Sequence, residues 1–205
     1  MNNFIRIVVG AAVLAILLYA WLGTESQPNY TAEIEQQRKD KDHQFKTSAD
    51  SPFAGDTTFT GLRYFPVDPT YRVIADFVPA PQKQVVTLAT SDGKQKHYNT
   101  YGYAEFTLHG KKNRLLILEI MDPGPWRGTL FLAFGDETSA RETYGAGRYL
   151  DVQKQKGKTL VLDFNLAYNP YCAYNHNYSC PLPPAENLLT IPIRAGELNY
   201  TTPDE

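Results

Sequence analysis

One stretch constrains this chain more than any other: Asp163 to Gly196, DFNLAYNPYCAYNHNYSCPLPPAENLLTIPIRAG. It holds both cysteines and five of the fourteen prolines, interleaved with tyrosine and asparagine, just behind a strand-like TLVLDF. Proline fixes φ and withholds a backbone donor, so a segment punctuated this densely follows one irregular path. Its polar side chains are then held in set places.

The chain of 205 residues is 42% hydrophobic, enough for one core and one folded domain. A net charge of -2 leaves no basic excess to neutralise phosphates, which excludes a nucleic-acid partner. Fourteen tyrosines suit strands better than helical bundles.

Residues 7–22 carry no charge, and Phe4 and Ile5 extend the apolar run past Arg6. That length spans a bilayer if Arg6 snorkels to the headgroups, with Tyr19 and Trp21 at one interface. Bulky residues at Tyr19–Leu22 disfavour signal cleavage. Residues 1–23 are therefore expected to be an uncleaved transmembrane anchor, with 4–23 the membrane contact. Counting basic residues puts the N-terminus in the cytoplasm and the domain outside, periplasmic or at the cell surface. A linker and juxtamembrane helix follow over 24–50. The helical pattern runs from Thr31 to Lys46, with Ile34, Arg38, Lys41 and Phe45 on one face, and Ser51-Pro52 ends it.

Residues 51–205 read as short strands between turns. Candidates are Thr57–Tyr64, Tyr71–Phe77, Gln84–Thr90, Gln95–Leu108, Arg114–Met121, Thr129–Phe134, Tyr149–Gln153, Thr159–Phe164 and Leu188–Arg194. Asp92-Gly93 is a hairpin signal, and His109-Gly110 another turn. No crossover helices separate the strands. The expected class is mainly β, an antiparallel barrel or sandwich preceded by a transmembrane helix and a short amphipathic helix.

Several blocks carry a resemblance: Ser51-Pro52, Gly61-Leu62-x-Tyr64-Phe65-Pro66, Phe134-x-Asp136-x-Thr138, Thr143-Tyr144 and Gly147-Arg148-Tyr149. The longest runs from Asp163-Phe164-Asn165 through Tyr168-Asn169-Pro170-x-Cys172 to Cys180-Pro-Leu-Pro-Pro184, Glu186-Asn187 and Gly196-Glu197. Over about Ile34 to Tyr200 the chain resembles the bacterial and archaeal family catalogued as domain of unknown function 1684. One departure is Ala140, where a glycine is expected after Ser139. The resemblance implies a shared fold and brings no activity, substrate or cofactor.

Function is then argued from the residues. A ligand-binding patch is expected from Asp136, Thr138, Tyr144, Arg148, Asp163, Asn165, Asn169, Glu186 and Asn187, with Arg148 gripping a small polar or anionic molecule. The competing reading makes Arg148 an ion-pair partner of Asp136 or Asp163, with the asparagines bonding turn backbone. Outside the cytoplasm, Cys172 and Cys180 are expected to form a disulfide. The alternative is a metal site of Cys172, His176 and Cys180, with Glu186 as acid/base of a hydrolase. No dinucleotide, phosphate-loop or zinc-protease motif is present, and no cofactor is expected. The preferred function is non-catalytic: small-ligand binding or a cell-envelope role. A protein-interaction module using the helix is the remaining alternative.

Overall fold

Alternating apolar residues in β1 (Arg72–Pro79), β2 (Val85–Ala89), β3 (Gln95–Leu108), β4 (Lys111–Ile120), β5 (Leu130–Phe134), β6 (Arg148–Val152) and β7 (Thr159–Asp163) build one sheet. A computed structural model describes residues 26–153 and 157–201. All pairings are antiparallel in the order β6-β5-β4-β3-β1-β7, with β2 beside the first part of β3. Asp92-Gly93 turns β2 into β3, as its sequence predicts. Leu115, Ile117, Leu132, Phe134, Leu150, Val152, Leu160 and Leu162 share one core. That core draws together β6 and β7, the two ends of the sheet. No ladder joins these ends among the described residues, so the result is a half-barrel with a seam.

β4 and β5 are buried on both faces. Leu116, Leu118, Phe131 and Ala133 form a second core on the outer face, covered by the loop carrying Cys172 and Cys180. The chain then returns to the inner face, where Leu189, Ile191 and Ile193 complete the barrel core. Seven of the nine expected strands form. The stretch expected as Leu188–Arg194 buries every second residue as a strand would, yet it is irregular. Pro192 has no N–H to give; the stretch meets the chain after β5 only through single backbone bonds at Leu189 and Ile191, and side chains bind Ile193. Thr57–Tyr64 is likewise irregular, touching the tail by one bridge from Tyr64 to Glu197.

The one α-helix among the described residues, α1 (Ser26–Thr47), docks through the face read from the sequence. Ile34 and Phe45 are buried, Arg38 donates to Phe65 O at 2.9 Å and Asn165 O at 3.2 Å, and Lys41 pairs with Glu197. Phe45 packs with Phe53, Phe59 and Tyr174 in a small aromatic core. This helix carries eight charged side chains, and no helix among the described residues is long and apolar enough to cross a membrane. The expected span at 4–23 lies outside the described residues. The transmembrane helix, the membrane partner and the extracytoplasmic location are therefore without support and are withdrawn.

Candidate functional site

The polar residues singled out by sequence do not converge on one spot. Most act as substitutes for missing β-ladder partners. Arg148 is 1% exposed; its guanidinium donates to Ile193 O at 2.8 Å, to Ala195 O, and to Glu197 O at 3.4 Å. It also pairs with Asp136 at 2.9 Å, whose other oxygen accepts the Ile193 N–H at 3.1 Å. Thr138 holds that carboxylate through its N–H and hydroxyl. Burial lowers the Arg148 pKa, and Asp136 opposes the shift.

Asn187 does the same between β4 and β5. Its side chain accepts from Leu116 N–H at 2.7 Å and donates to Leu116 O and Ala133 O, where the two strands splay apart. Asn165 accepts the Asp68 N–H at 2.9 Å and returns a bond to Asp68 O at 2.8 Å. Its neighbour Asp163 takes the hydroxyl of Tyr30 on α1 and lies 3.6 Å from Arg72. Desolvation first, then the Asp163 charge, raises the Tyr30 pKa. Asn169 binds Glu197 and Leu198 O. Glu186 is exposed.

Glu197 escaped the sequence reading although it is 1% exposed and central. It collects Lys41 at 2.9 Å, Asn169 and the Tyr174 hydroxyl, tying helix, loop and tail together. Its place after Gly196 in the final block was the signal available. Gly196 has φ +76°, and a Cβ there would stand 2.5 Å from Ala167 O.

The cysteines correct a second expectation. Both are free and buried, so there is no disulfide. A short 3-10 turn at Tyr171–Ala173 aims the Cys172 N–H at the Cys180 sulfur, 3.3 Å away. Tyr144 contributes its hydroxyl to Cys172 at 3.8 Å. The Cys180 thiol hydrogen-bonds to Cys172, which lowers the Cys172 pKa to about 6. The same bond raises that of Cys180, which keeps the shared proton. His176 is exposed while both sulfurs are buried, so the three do not meet. No group of three ligating side chains able to hold a metal occurs among the described residues.

A shallow cavity, open on one side, lies at the seam between β6 and β7. The register of β3 against β4 shifts by one residue between Thr100 and Gly102, a bulge at Tyr101. A Cβ on Gly102 would come within 2.5 Å of the Phe77 ring, so glycine lets that ring lie against the strand. The Phe77 and Tyr101 centroids are 5.3 Å apart. Ile117, Leu130, Val152 and Leu160 line the cavity as well, and Gln153 and Thr159 supply its polar groups. Sequence reasoning passed over these residues. The irregular spacing of β3 was their one trace.

The family of proteins of unknown function DUF1684 matches residues 57–198, from the first loop of the body through the clamped tail. The chain belongs to this family. Its resemblance to a solved structure extends further than the DUF1684 region. The solution NMR structure of an uncharacterized protein of Haloarcula marismortui is 35% identical, with a TM-score of 0.64. The match covers 85% of this DUF1684 chain and 96% of the archaeal one. Among curated proteins none matches.

Proposed function

We propose that this DUF1684 protein is a non-catalytic binder of a small, mainly apolar ligand with one polar end, held in the seam cavity. The single observation carrying the reading is that cavity, whose aromatic and aliphatic walls carry polar groups on Gln153 and Thr159. The polar set around Arg148 supports an architectural role instead, since its two terminal nitrogens are committed to tail carbonyls and Asp136. The enclosed part has room for about one water-sized group, so the ligand lies along the open seam with only its end inserted. The hydrolase reading loses its acid/base and its third ligand, because Glu186 and His176 face solvent.

The test is an NMR titration with a panel of single-ring compounds and short-chain carboxylates, following the methyl signals of Ile117, Val152 and Leu160. Saturable shifts at those methyls, abolished in Thr159→Trp, support the reading. A panel that moves none of them in the folded protein defeats it.

A further inference from the structure

We propose that Cys172 and Cys180 form a two-coordinate thiolate site for a soft monovalent cation of the Cu(I) class. The Cys172 N–H lies 3.3 Å from the Cys180 sulfur, and the residues are only 3% and 8% exposed. Zinc needs about four ligands, and the described residues bring no third ligating side chain to the pair. Two soft sulfurs in an apolar setting match the preference of Cu(I) for thiolates. Leu116, Phe131 and Tyr149 enclose the pair against the outer face of the sheet.

With Cys172 already a thiolate at neutral pH, binding breaks the one remaining S–H bond, on Cys180, forms two S–Cu bonds and releases one proton to solvent. No electron moves, and the site keeps one net negative charge. The surroundings suit that charge. Tyr144 O–H and Cys172 N–H already point at the sulfurs, and the Lys96 ammonium acts on Cys180. Lys96 is fixed by Ser179 O at 3.4 Å, on the same loop.

The experiment is an anaerobic titration of the full-length protein with Cu(I) buffered by bicinchoninate, after alkylation counting confirms two free thiols. The expected result is withdrawal of one equivalent of copper, with X-ray absorption giving two sulfur neighbours and no nitrogen. His176→Ala should bind unchanged, and Cys180→Ser should lose the metal. Should the serine variant fail to fold, the absorption spectrum of the unaltered protein decides. No copper withdrawn by the doubly reduced protein, or a nitrogen neighbour that disappears with His176→Ala, overturns the proposal.

Discussion

Asp136 and Arg148 together bind both backbone groups of Ile193: the carboxylate accepts its N–H at 3.1 Å, and the guanidinium donates to its C=O at 2.8 Å. They also pair with each other at 2.9 Å. A side-chain pair thus does for the tail what a neighbouring strand does elsewhere in the sheet. Arg148→Met should cost about 3–5 kcal/mol, because it strands the buried Asp136 charge and frees three carbonyls. Urea unfolding measures the loss, and a variant within about 1 kcal/mol of the parent would contradict the clamp.

Lys41→Met tests the tie between α1 and the body. Glu197 is 1% exposed, and Lys41 is its cationic partner. Lys41 itself is 24% exposed, so the penalty is expected below the fully buried range, at about 2 kcal/mol. Amide exchange should rise along the helix before it rises in the sheet.

Ala140 has φ +61°, in the region where a Cβ is strained. Ala140→Gly should therefore raise stability by about 0.5–1 kcal/mol, read as a higher Tm. Gly196→Ala is the reverse case. Its new Cβ meets the carbonyls of Ala167 and Phe164, and a loss of about 3 kcal/mol is expected in thermal unfolding.

The thiol pair should give a stepped titration. One equivalent of thiolate, followed by its ultraviolet absorbance, is expected with a midpoint near pH 6. Cys172 has a folded pKa below its unfolded value of about 9, so its contribution is complete above pH 9 and is lost as pH falls through about 6. Cys180 has the opposite shift and removes stability above its unfolded pKa. The pair's contribution therefore rises from about pH 6 to about pH 9 and declines beyond. Cys172→Ser should flatten that rise in urea midpoints measured across the same range.

Strands β1 to β7 were legible because alternation and turn residues act locally. The face of α1 was legible for the same reason, through Ile34, Arg38, Lys41 and Phe45. The tail at Leu188–Arg194 misled, since its alternation is that of a strand while it makes only scattered backbone bonds and Ile193 is held by Arg148 and Asp136, far back in the chain. Asp136, Arg148, Asn165 and Asn187 drew attention as buried polar residues. Their partners are backbone groups distant in sequence, which no local pattern reveals. The cysteine spacing is compatible with either thiols or a disulfide; the structure holds both as free thiols. The seam cavity depends on a one-residue bulge, too small a feature to leave a periodicity.

Residues 168–195 pass first over the outside of β4 and β5 and then through the inside of the barrel. They hold the sheet as a clip holds a sheet of paper, with one arm on each side. A chain cut after β7 would leave both sides of β4 and β5 bare at once, and truncation there removes two cores rather than a tail.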